Sequence, residues 1–174
     1  MSENSTPRLW KDGAFQVDNW RDWPEEGGLK DGEDALVPLA RFIAEPGAFL
    51  ARKGRIGVRV APGEDVTVLA GQLAKIALVA LDFPSFADGR NYSAARLLRE
   101  RLGYEGEIRA LGDVLSDQIA LMRRCGINSY LVSHEPTKKA LAAGRIVEVR
   151  HYYQPVSGPE IAAGTRPWTR LPAA

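Results

Sequence analysis

Ile76-Ala-Leu-Val-Ala-Leu-Asp-Phe-Pro-Ser-Phe-Ala-Asp-Gly-Arg-Asn-Tyr-Ser93 decides the fold. The run from Ile76 to Leu81 is apolar without alternation, as in a strand buried on both faces. It breaks at Asp82 into a polar loop, and a helix pattern opens between Arg90 and Ser93. The same order returns at Arg109-Ala-Leu-Gly-Asp-Val-Leu-Ser-Asp-Gln118, with Asp113 in the place of Asp82. Loops at the carboxyl ends of parallel strands are where open α/β sheets bind ligands.

The alternation extends outward from this stretch. Ile56-Gly-Val-Arg-Val60 reads as a strand turned by Pro62-Gly63, and Val66, Leu69 and Leu73 give 64–75 a helical spacing. Ala94, Leu97, Leu98 and Leu102 form one helical stripe, stopped by Gly103. Strands follow at 107–111, 128–133 and 146–153, with helices at 115–124 and 136–143. Leu36 to Ala44 reads as a short helix with Pro38 in its first turn. The predicted class is α/β: a mainly parallel sheet of about five strands with alternating βα units, open or half-barrel-like. Five strands are too few for a closed eight-stranded barrel. Residues 1–34 read as an irregular acidic lead-in whose tryptophans pack on the body, 35–154 as a single α/β domain, and 155–174 as a loose Pro/Gly-rich tail.

The bulk numbers exclude several classes. A chain of 174 residues can bury roughly 70% of its unfolded surface in one domain. A formal charge of +1 argues against bulk binding to nucleic acid. The basic cluster Arg52-Lys53-Gly-Arg55, with Arg59, reads as a solvated turn. One cysteine, Cys125, permits neither an internal disulfide nor a cysteine-ligated cluster, and it reads as a small core residue. No apolar run is long enough to span a bilayer and the first residues form no secretory signal, so the expected location is the cytoplasm, with no membrane partner.

Candidate chemistry gathers on the two strand-end loops. Arg90, the N–H groups around Tyr92 and Ser93, and Arg109 could hold a small oxyanion or a phosphate, with Asp88 and Gln118 at the same mouth. Asp82 and Asp113 could orient the arginines or act as acid–base groups. The simpler alternatives stay open: Asp88 and Ser93 as helix caps, and Arg109 in a structural ion pair. His134 and His151 have no local ligand spacing, so no metal site is expected. Neither a Walker A sequence nor a dinucleotide fingerprint is present, and the cofactor, if there is one, is left unknown.

The strings Leu81-Asp-Phe-Pro84, Asp88-Gly-Arg-Asn-Tyr-Ser-Ala-Ala-Arg-Leu-Leu-Arg-Glu-Arg101, Gly106-Glu-Ile-Arg-Ala-Leu-Gly-Asp-Val-Leu-Ser-Asp-Gln118 and Arg124-Cys-Gly126 closely resemble bacterial domain-of-unknown-function family 934. Members are often encoded beside assimilatory sulfite-reduction genes and are frequently labelled oxidoreductases. The resemblance runs from about Leu9 to Gln154. It implies an accessory role in sulfite reduction, with binding of a small anionic or phosphate-bearing ligand at the strand-end loops and oxidoreductase activity as a further implication. The alternative is a non-catalytic module that docks on sulfite reductase or another sulfur-assimilation enzyme. The resemblance supplies no catalytic residues.

Overall fold

The structure is a computed structural model that describes residues 4–146. Its strands are β1 (Asn4–Lys11), β2 (Ala14–Gln16), β3 (Arg21–Asp22), β4 (Ala35–Pro38), β5 (Ile56–Val60), β6 (Leu78–Phe83), β7 (Glu107–Gly112) and β8 (Ser129–His134). The helices are α1 (Leu39–Ala44), α2 (Pro46–Leu50), α3 (Arg90–Arg96), α4 (Ile119–Arg124) and α5 (Glu135–Ala142). All eight strands join one sheet in the order β2-β1-β8-β7-β6-β5-β4-β3. Neighbours from β3 to β8 run parallel, while β1 pairs antiparallel with both β8 and β2.

The expectation of about five strands is therefore corrected to eight. Four of the five predicted strands stand as β5 to β8, and the fifth, 146–153, falls outside the described residues except for Ile146. The additional strands come from segments with little apolar content or with a misleading proline. β1 and β2 form a hairpin through Asp12-Gly13, both at positive φ (51° and 79°), as a tight two-residue turn requires. At β4, Pro38 bars the α conformation from Val37 before it, so Leu36 and Val37 extend and α1 starts only at Leu39. The predicted helix at 64–75 is instead two 3₁₀ turns, Val66–Leu69 and Leu73–Lys75. A three-residue apolar spacing fits a 3₁₀ period as well as an α one, and Val66, Leu69 and Leu73 are still buried.

One length fixes the shape of the sheet. Seven inter-strand gaps separate β2 from β3, which in a flat sheet would be about 34 Å. Gln16 and Arg21 are joined by only five Cα steps, a reach of about 17 Å when extended. The sheet therefore curls into a half-barrel, and residues 17–20 form a strap across its open side. All helices lie on the convex face. Phe42, Phe49, Ala95, Leu98, Ile119, Met122 and Leu141 pack there against Val58, Val79, Leu81, Ile108, Ala110 and Val132. The concave face carries the alternate positions: Leu36, Leu78, Ala80 and Leu111 in a smaller apolar cluster with Trp20 and Leu131, beside Arg59, Asp82, Glu107, Arg109 and Ser129. Gly57 leaves room for the strap, because a Cβ there would stand 3.0 Å from the Trp20 ring and 3.1 Å from Leu36. No helix of the described residues is long and apolar enough to cross a membrane.

Candidate functional site

The carboxyl ends of β5 and β6 are tied together by Asn91. Its side chain, 1% exposed, donates through Nδ2 to the carbonyls of Val60 (3.3 Å) and Asp82 (2.8 Å). With the amide used this way, Oδ1 is buried without a hydrogen-bond partner. Asn91 also lines a cavity of about 300 Å³ between the Gly63–Val66 loop and α3, together with Arg90 and Ser93. Gly63 has φ +92°, and a Cβ there would come within 3.2 Å of Arg90 Nη1, so glycine serves both the turn and the space.

Around this cavity the charges are locally engaged. Arg90 donates to Asp88 through Nε (3.0 Å) and Nη2 (2.7 Å), which leaves Nη1 beside Gly63. The hydrogen bonds from Arg90 outweigh slight desolvation and hold the Asp88 carboxyl below its ordinary value. Glu64 accepts from the Ala61 N–H at 2.6 Å, and Asp65 caps the first 3₁₀ turn by accepting from the Thr67 N–H. Asp88 also accepts from the Arg90 backbone at 3.3 Å, although Gly89 is the residue at the N-cap position of α3. Ser93 lines the cavity without capping the helix. Tyr92 turns the other way, edge-on to Phe83 at 5.0 Å on the convex side, where burial pushes its phenol up to about 12.

The other predicted residues are dispersed. Asp82 holds Arg59, whose Nε lies 3.0 and 2.9 Å from its two oxygens, while Asp22 stands 3.9 Å from Arg59 Nη1. Asp82 therefore does not serve Arg90. Burial works against the Arg59 charge, but the Asp82 and Asp22 carboxylates outweigh it and leave the guanidinium above its ordinary value. Asp113 does not share a face with Arg109. Gly112, at φ +93°, turns the chain after Leu111, and the Asp113 N–H donates to the Phe83 carbonyl at 2.7 Å. Gln118 is buried and accepts the Leu115 N–H through Oε1 at 3.2 Å, a local bond at the start of α4.

Arg109 lies inside the half-barrel with its side chain 2% exposed. Nε and Nη2 donate to Glu107 Oε1 (3.0 and 2.7 Å), and Nη1 meets both oxygens of Asp18 at 3.0 Å. Ser129 Oγ donates to Glu107 Oε1 at 2.7 Å and Lys11 Nζ to Oε2 at 2.8 Å. Burial would raise the Glu107 carboxyl, but these donors outweigh it and the group stays below its ordinary value. Glu107, Asp18, Lys11 and Ser129 were missed as partners. The period of two along a strand points back from Arg109 to Glu107. The contact with Asp18 has no local signal, being 91 positions away.

The basic cluster is paired with the lead-in. Arg55 bonds Asp34 at 2.5 Å, Lys53 stands 3.8 Å from Asp31, and Arg52 donates to the Leu29 and Lys30 carbonyls. Cys125 is buried, and burial pushes its thiol up. His134 Nδ1 pairs with Thr137 Oγ1 at 2.9 Å. His151 lies outside the described residues. Among the described residues no group of three or more His, Cys, Asp or Glu side chains is arranged to hold a metal.

The family described as "Bacterial protein of unknown function (DUF934)" matches residues 57–162, more than half of the chain. The chain belongs to this family. The match begins in β5 and spans both strand-end loops, so the Asn91 tie and the Arg109 strand fall within it. No curated protein and no solved structure matched the chain.

Proposed function

We propose that this DUF934 protein is an accessory protein of assimilatory sulfite reduction that binds a small anionic or phosphate-bearing ligand in the cavity beside Gly63. The sulfite-reduction context comes from the family resemblance carried by the strings around Asp82, Arg90 and Asp113. The observation behind the site is Arg90 Nη1, left over from the Asp88 pair and set beside a cavity of about 300 Å³. That volume suits a small ligand. Asn91 Oδ1, buried and unpartnered, would accept from a protonated oxygen of the ligand. Ser93 offers a hydroxyl from the same helix. The oxidoreductase implication would need a redox group, and no residue of this cavity carries electrons.

Calorimetry with sulfite, sulfate and inorganic phosphate tests the reading. One of these anions is expected to bind, and Arg90→Ala to weaken that binding. Absence of binding by all three would overturn it.

A second reading has its own support in Phe86, which is 60% exposed on the loop between β6 and α3. An exposed aromatic ring on a strand-end loop suits docking on sulfite reductase or a related enzyme. Co-purification with sulfite reductase that is lost on Phe86→Ser would favour it, and retention would count against it.

A further inference from the structure

We propose that residues 17–20 are a displaceable strap, and that the Asp18 carboxylate holds the place of a small oxyanion at Arg109. The proposal stands on residues apart from the Gly63 cavity and does not depend on it.

The ion-pair group around Arg109 balances only with the strap in place. Lys11 and Arg109 face Glu107 and Asp18, two cations against two anions. Glu107 is fully engaged: Oε1 takes Arg109 Nε, Arg109 Nη2 and Ser129 Oγ, and Oε2 takes Lys11. This clamp fixes the guanidinium and leaves Nη1 aimed at Asp18. With Asp18 withdrawn, the enclosed group carries one uncompensated positive charge, which a protein interior strongly disfavours. A singly charged oxyanion presenting two oxygens restores both neutrality and the hydrogen bonds.

The strap is built to leave. It lies outside the strand ladder, and its first three residues are exposed, Val17 by 82%, while Trp20 is half-buried. Arg109 is enclosed, whereas the Asp18 side chain keeps 25% of its surface open, so the carboxylate is the part reachable from solvent. Trp20, packed over Gly57 and Leu36, is the main apolar attachment. A carboxylate tethered in this way competes with free anions for the same guanidinium. The ligand class is a singly charged, carboxylate-sized oxyanion, for which formate, acetate and nitrate are suitable probes.

The test uses the full chain with Asp18→Ala, titrated by calorimetry and by thermal unfolding with each anion against chloride at equal ionic strength. Formate, acetate or nitrate is expected to bind the variant about ten- to hundredfold more tightly than the parent, the worth of a charged hydrogen bond. The gain should vanish in Asp18→Ala/Arg109→Met and persist in Asp18→Ala/Arg90→Ala, which separates it from the Gly63 cavity. If Asp18→Ala does not fold in chloride, Asp18→Asn carries the same titration, and refolding of either by a probe anion supports the proposal. Equal binding by Asp18→Ala and its Arg109→Met double variant overturns it, as does failure of every probe to rescue two unfolded variants.

Discussion

Arg90 and Arg109 carry the same group, each bound to a carboxylate two residues earlier in the chain, and their surroundings make them opposites. The Arg90–Asp88 pair sits on an exposed loop, with the arginine side chain 62% exposed, where water and salt screen most of the attraction. Arg109 is enclosed by Glu107, Asp18 and the curled sheet, where removing one partner strands the others in a medium of low dielectric. An exposed pair can open for a ligand with little consequence for the fold. The enclosed one can release a partner only if another anion replaces it.

The largest effect should follow from breaking the enclosed cluster. Arg109→Met leaves Glu107 and Asp18 facing each other without the cation, and urea unfolding should show a loss of about 3–5 kcal/mol. A loss no greater than that caused by Arg90→Ala would erase the contrast between the two sites.

Next in size is the turn that separates Asp113 from the Arg109 face. At Gly112, φ is +93° and an added Cβ would lie 2.4 Å from the Phe83 carbonyl oxygen, which is backbone and cannot step aside. Gly112→Ala should cost at least about 1–3 kcal/mol from the backbone conformation alone, measured as a lowered unfolding midpoint.

What could be read in advance follows from how local each signal is. β6 declares itself by an unbroken apolar run and β7 by the same strand, loop and helix order that follows it, and the stretch 81–118 correctly marks two strand-to-helix loops. Arg90 and Ser93, chosen from position alone, do line one cavity. β1 and β2 had a legible sign in Asp12-Gly13, but their polar residues give too little apolar alternation to be counted. Of the strap, only the packing of Trp20 on the body was legible. Its role depends on closing a sheet whose strand order places β2 and β3 at opposite edges, and that order is a property of the whole chain. Arg109 was misdirected for the same reason, since its partner Asp18 arrives from across the half-barrel.

A smaller effect should appear with pH, and Glu107 carries the enclosed cluster's share of it. Folded Glu107 holds its proton less readily than it does in the unfolded chain, where its ordinary value is 4.5. Its contribution is therefore complete above that value and is lost as pH falls toward and through the lower folded value, because the unfolded state then binds more protons. Unfolding free energies followed from about pH 7 to about pH 3 should decline more steeply for the parent than for Glu107→Gln. Parallel curves would mean that Lys11, Ser129 and Arg109 do not hold the carboxylate as the geometry implies.

The smallest expected change in stability is also the sharpest test of the contrast. Arg90→Ala removes a pair in open solvent, and its unfolding midpoint should match the parent within error. Asn91 keeps its bonds to the Val60 and Asp82 carbonyls in that variant, so the β5–β6 mouth remains assembled. Any anion bound beside Gly63 should nevertheless be lost, because the Nη1 donor and its charge go with the side chain. Stability retained with binding lost marks Arg90 as a ligand group. If stability and binding fall together, its pairing with Asp88 holds the loop, and the two arginines differ only in degree.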